Sequence, residues 1–127
     1  MNIVDSCGWL EYLADGPDAD FFSFPLFKTE QLVVPIICIY EVFKKVLTAK
    51  GENLALQTMA LMQQGLVVEI DSTLAIEAAR LSQELKLPMA DSFILATARA
   101  HNAIIWTQDQ HFKNISGVKY KIKRKSG

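Results

Sequence analysis

Four carboxylates in this chain stand where acids could act together: Asp5, Glu41, Asp91 and Asp109. Asp5 and Asp109 each follow a short apolar run, Ile3-Val4 and Ala103-Ile104-Ile105-Trp106. Both runs read as strands, which places the two acids just past strand C-termini. In an open parallel sheet that edge is where ligands bind. Glu41 lies in the apolar stretch Ile37-Cys38-Ile39-Tyr40-Glu41-Val42-Phe43, where a charge is costly unless something pairs with it. Lys44 and Lys45 are the nearest partners for a purely structural role. Asp91 opens an alanine-rich helix, and an acid in a first turn also favours the helix dipole.

Taken together, four such acids would repel one another. Two like charges about 4 Å apart cost roughly 4 kcal/mol at an effective dielectric near 20. Protonation or a cation relieves that repulsion. Oxygen ligands without a companion histidine or cysteine select Mg²⁺ or Mn²⁺. Such an ion can activate a water and stabilise the charge of in-line attack on a phosphate.

The elements that must position these acids follow from hydrophobic periodicity. Strands are expected at Ile3-Val4, 32–34 and 66–70, at 103–106 and at 118–122. Helices are expected over 7–14, 36–49, 54–64, 72–85 and 89–101, with a further start at Asp15-Gly16-Pro17-Asp18 and Pro17 in its first turn. Ser6 is the expected N-cap of the first helix, and Asp71-Ser72-Thr73 caps the helix after the third strand. Leu54, Met59, Leu61 and Met62 are the core candidates of the 54–64 helix. Gly8 is expected to loosen the first helix. Short strands, apolar on both faces and alternating with helices, define an α/β domain whose central parallel sheet of about five strands is covered by helices. Residues 1–127 are read as one such domain.

Composition narrows the class. Half of the 127 residues are hydrophobic and 21% are charged, so the chain has material for a core. The net charge of −1 excludes a strongly basic nucleic-acid coat. Cys7 and Cys38 are expected as buried free thiols, and with His101 and His111 they make no zinc spacing. The two histidines are read as surface residues or modest caps. Nothing at the N-terminus resembles a signal peptide and no apolar run matches a membrane span, so a cytoplasmic, soluble protein without membrane contact is expected.

Ile3-Val4-Asp5-Ser6 followed by Trp9, Glu41 inside an apolar helix, Ala90-Asp91-Ser92-Phe93-Ile94-Leu95-Ala96, and Thr107-Gln108-Asp109-Gln110-His111-Phe112 after a strand occur in this order over nearly the whole chain. In this the sequence resembles the PIN-domain family, and within it the VapC-type toxins. The resemblance implies a PIN-like three-layer fold. It also implies an acidic site of Asp5, Glu41, Asp91 and Asp109 that holds one or two Mg²⁺ or Mn²⁺ ions. Ser6 and Thr107 match positions whose hydroxyls support the acids. The implied activity is that of an endoribonuclease toxin of a type II toxin–antitoxin system. Its RNA substrate would be cut at phosphodiesters, with tRNA and rRNA as candidates. The implied partners are a cognate antitoxin and a second copy of the chain in a homodimer.

Two other readings compete. One is a PIN module that binds RNA or protein without cutting. The other is a phospho-acceptor receiver domain with Asp71 as acceptor, which lacks the second acid after Asp5 and leaves Glu41 and Asp91 unexplained. The basic tail of Lys119, Lys121, Lys123, Arg124 and Lys125 reads as a solvated edge that frays, with RNA contact as the alternative. Asp15, Asp18 and Asp20 read as a solvated turn. The four phenylalanines between Phe21 and Phe27 are read as core or dimer contacts.

Overall fold

The structure is a computed structural model, and it describes residues 1–125. Among the described residues there are five strands: β1 (Asn2–Val4), β2 (Val33–Pro35), β3 (Leu66–Val68), β4 (Ile104–Thr107) and β5 (Val118–Tyr120). Six α-helices connect them: α1 (Ser6–Leu13), α2 (Ala19–Leu26), α3 (Ile36–Lys50), α4 (Glu52–Met62), α5 (Ser72–Leu85) and α6 (Met89–Ala100). Two 3-10 turns, Thr29–Gln31 and Gln110–Phe112, complete the chain path. This is the expected α/β architecture.

Every strand pairing is parallel. One sheet runs β1-β4-β5 and the other β2-β3. A single parallel bridge, Asn2 to Leu32, joins them, which gives the spatial order β3-β2-β1-β4-β5. The five expected strands therefore divide into three and two. The order reverses direction at β1: the chain first builds outward to β3 and then returns to place β4 on β1's other side. That reversal opens a crevice at the C-terminal ends of β1 and β4.

β1 and β2 are buried along their whole length, so helices cover both faces of the sheet centre. The register of β1 on β4 sets Val4 opposite Trp106. A buried side-chain bond reinforces it: Trp106 Nε1 donates to Asn2 Oδ1 at 3.0 Å. The core runs from Ile3, Val4 and Phe22 through Val33, Val34 and Val42 to Ile94, Ile105 and Phe112, all fully buried.

Several local expectations need correction. Asp5, not Ser6, is the N-cap of α1, its Oδ1 accepting the Ser6 N–H at 2.7 Å. Pro17 precedes α2, whose N-cap is Asp18. On α4 the buried stripe is Ala55, Thr58 and Met62, while Leu54 and Leu61 face solvent. Ala55 and Thr58 are small residues in that stripe, where α4 packs along α3, and Met62 is buried as expected. Gly8 does not loosen α1; it allows the helix to pack. A Cβ there would lie 2.5 Å from the Phe22 ring and 2.7 Å from Val4 Cγ1, so α1 approaches α2 and β1 as only glycine permits. Of the phenylalanines, Phe22 is core, while Phe24 and Phe27 are exposed.

Candidate metal centre

Each of the four acids is delivered by a different element. Asp5 leaves β1 and caps α1. Asp109 follows β4 and caps the 3-10 turn after it, its Oδ1 accepting the His111 N–H at 2.9 Å. Asp91 sits in the first turn of α6, and Glu41 in the second turn of α3. Because β1 and β4 are neighbours, their two strand-end acids share one crevice.

Two hydroxyls tie the acids together. Thr107, the last residue of β4, donates to Asp5 Oδ2 at 2.7 Å and accepts the Asp109 N–H at 2.9 Å. Ser6 donates to Glu41 Oε1 at 2.7 Å while its own N–H is held by Asp5. Glu41 is thus joined to Asp5 through Ser6. Among the described residues neither Lys44 nor Lys45 pairs with it, contrary to the structural role considered from sequence.

Asp91 and Asp109 meet at a residue that the sequence alone marks only as a surface histidine. His111 Nδ1 lies 3.0 Å from Asp91 Oδ2 and 3.0 Å from Asp109 Oδ1. One ligand atom from each of these three residues falls within 4.8 Å of the other two. The imidazole is more than half exposed, so it is a surface residue as expected, yet it bridges two acids. The available signal was its place two residues after Asp109, in the turn that Asp109 caps.

Burial first, and neighbouring negative charge after it, shift the acids of this crevice. Burial pushes the Asp5 carboxyl up to about 6, with the Asp109 charge adding, against hydrogen bonds from Thr107, Ser6 and Cys7. Asp91 is pushed up to about 7, first by burial and then by the charges of Asp109 and Asp5, with His111 opposing. The same two partners, Asp109 first and then Asp91, raise the His111 imidazole above its ordinary value. Cys7, whose Sγ is 3.5 Å from Asp5 Oδ2, is pushed up to about 12 by burial and by Asp5. In the metal-free protein it is therefore a protonated thiol beside the acids.

The donor set fits a hard divalent cation. Asp91 and Asp109 each bring one carboxylate oxygen within 4.8 Å of the other and of His111 Nδ1. Asp5, outside that trio, is close enough for its charge to act on Asp91, whose value is raised first by burial and then by its acidic neighbours. Asp71 does not belong to this group. It follows the edge strand β3, and its Oδ1 accepts the Leu74 N–H at 2.8 Å as the N-cap of α5.

A parallel α/β domain whose strand order reverses at a crevice lined by acids is a fold built to present oxygen ligands at one sheet edge. The chain belongs to the PIN domain family, whose model matches residues 3–118. Solved structures share the fold. A chain of a toxin–antitoxin complex from Klebsiella pneumoniae aligns with TM-score 0.80 and 22% identity, over 94% of this chain and 96% of that one. VapBC2 from Rickettsia felis, bound to a promoter DNA fragment, aligns with TM-score 0.71 and 15% identity over 94% and 96%. DNA-bound VapBC from Salmonella typhimurium aligns with TM-score 0.71 and 16% identity over 95% and 98%. A comparison with curated proteins finds no match. No helix among the described residues is long and apolar enough to cross a membrane.

Proposed function

We propose that this protein is a Mg²⁺- or Mn²⁺-dependent endoribonuclease of the VapC type, the toxin of a toxin–antitoxin pair. The observation that carries the reading is the meeting of Asp91 and Asp109 across His111, beside Asp5, at the crevice between β1 and β4. Family membership supports it, as does the likeness of fold to chains from toxin–antitoxin complexes.

Asp5, Asp91 and Asp109 would hold the cation, with Glu41 completing the acidic wall. When bound, it would supply an activated water and offset the charge that builds on a phosphodiester under in-line attack. The chain's own groups orient the acids. Thr107 fixes the Asp5 rotamer and, through the Asp109 N–H, the turn that carries Asp109. Ser6 orients Glu41. His111 Nδ1 sits between Asp91 and Asp109, 3.0 Å from an oxygen of each. A cognate antitoxin and a second copy of the chain are the proposed protein partners, and exposed Phe27, Met89 and Ile122 offer apolar surface for them.

The test is cleavage of total RNA by antitoxin-free protein with Mg²⁺ or Mn²⁺, alongside EDTA and Asp91→Asn controls. Discrete bands that need metal and vanish with Asp91→Asn are the expected result. Metal binding without cleavage would favour a non-catalytic binding module. The absence of both metal binding and cleavage would overturn the metal site itself.

A further inference from the structure

Beside the acids lies a cleft of about 400 Å³ whose lining includes Asp109, Cys7 and Glu11, together with two lysines, Lys45 and Lys123. Lys45 stands about one turn beyond Glu41 on α3, and Lys123 comes from the tail after β5. Both are exposed, and neither pairs with an acid among the described residues. Glu11 shares this lining; its Oε2 accepts the Asp18 N–H at 2.8 Å, and among the described residues it forms no ion pair with either lysine, so the two cations outnumber it and Asp109 faces them from the acid side.

The tail does not fray before Arg124. It is tied down by Asp18, which the sequence places in a solvated turn and which is fully buried. Asp18 Oδ2 accepts the Arg124 backbone N–H at 2.9 Å and Gln108 Nε2 at 2.7 Å. Its Oδ1 accepts Arg124 Nε at 2.5 Å, with Lys121 Nζ 3.9 Å away. Arg124 also donates to the Pro17 carbonyl. Burial acts to raise the Asp18 carboxyl, and the bonds and charge of Arg124, with Lys121, more than offset it and hold it below the usual range. Gln108 lies between Thr107 and Asp109, so one buried carboxylate fastens both the tail and the turn that carries an acid of the cluster.

We propose that Lys123 and Lys45 contact substrate phosphates flanking the one at the acids, and that Asp18 and Arg124 are the positioning residues that hold Lys123 there. The ligand class is the backbone of a single-stranded nucleic acid, and the inference rests on the ribonuclease reading. An acidic centre repels a polyanion, and cations placed along the adjoining cleft offset that repulsion and set the strand's path.

The experiment measures binding of an end-labelled oligouridylate to the Asp91→Asn protein in Mg²⁺ over a series of salt concentrations, and cleavage of total RNA by the same substitutions in the active protein. On a single strand, removing one cation that binds a phosphate makes the slope of log K against log salt shallower by about 0.7. Lys123→Gln and Lys45→Gln should each show that change, with a raised KM and an unchanged kcat. Arg124→Gln should reproduce the Lys123 effect because it frees the tail. Asp18→Asn should do the same where it folds, and exposed Arg124 carries the test where it does not. Lys28→Gln, next to the turn that leads into the start of β2, should leave the slope unchanged. Binding with wild-type slopes in both lysine variants would overturn the phosphate contacts, and a wild-type slope in Arg124→Gln would overturn the positioning role. Those results leave the ribonuclease reading standing. Absence of both binding and cleavage by the parent proteins would overturn that reading, and this inference with it.

Discussion

Thr107 donates its one hydroxyl hydrogen to Asp5 Oδ2 at 2.7 Å, which leaves its oxygen free to accept the Asp109 N–H at 2.9 Å. One side chain therefore sets two acids from opposite ends of the sequence. Thr107→Val keeps the shape and removes both functions. The Asp5 carboxyl should rise further above about 6, because the Thr107 bond is the strongest influence holding it down. Removing a buried partner costs about 1–3 kcal/mol. Mn²⁺ affinity should fall about 10–100-fold, the usual effect of losing a group that orients a ligand. Calorimetric titration with Mn²⁺ checks this, and Thr107→Ser should recover most of the affinity.

Metal-free protein should lose stability as pH rises. The Asp5 and Asp91 carboxyls stand at about 6 and about 7 in the folded chain, against an ordinary 3.8. Folding therefore favours their protonated forms. That contribution is complete below about pH 4 and is lost as pH rises through about 6 to 7. Urea denaturation in EDTA should give a lower midpoint at about pH 8 than at about pH 5, and Asp91→Asn should flatten the dependence. Added Mn²⁺ should reverse the slope, since it binds the deprotonated acids.

His111 occupies the gap between Asp91 and Asp109 as a raised-pKa imidazole, so it competes with a cation for the same oxygens. His111→Gln should increase Mg²⁺ affinity severalfold near pH 6, and the difference should shrink as pH rises and the wild-type ring loses its proton. A loss of affinity at both pH values would make His111 a metal ligand instead.

Gly8→Ala tests the close approach of α1. The added methyl group would meet the Phe22 ring at 2.5 Å and Val4 at 2.7 Å, in a region with no slack. Overpacking of this kind costs about 1–3 kcal/mol, despite alanine's better helix propensity. Thermal unfolding with and without Mn²⁺ separates this cost from any effect on metal affinity.

Local patterns are readable in the sequence and long-range partners are not. Apolar runs ending in Asp5 and Asp109 identify the strands and the edge they share, because strand burial and strand ends are written in adjacent residues. The cap at Asp71 is legible for the same reason. The α4 face is misjudged when large residues are taken as the core signal, because a close helix contact selects Ala55 and Thr58. Asp18 and Arg124, 106 positions apart, carry no mutual signal in one sequence, and a buried aspartate beside a glycine and a proline looks like an ordinary turn. His111 is hidden by its exposure, which says nothing about the acids that curl back to meet it.

The seam between the two sheets runs through the acidic wall. Asp5 and Asp109 ride on the three-stranded part, while Glu41 rides on the helix that springs from the two-stranded part. A single bridge at Asn2 and Leu32, the packing of β1 on β2, and the Ser6–Glu41 bond hold the two together across the line where they meet. The acidic wall is thus divided between the two sheets. Glu41 reaches the other acids across that line through Ser6, whereas Asp5 and Asp109 are joined through Thr107 within one sheet, so the wall is keyed to both halves of the fold at once.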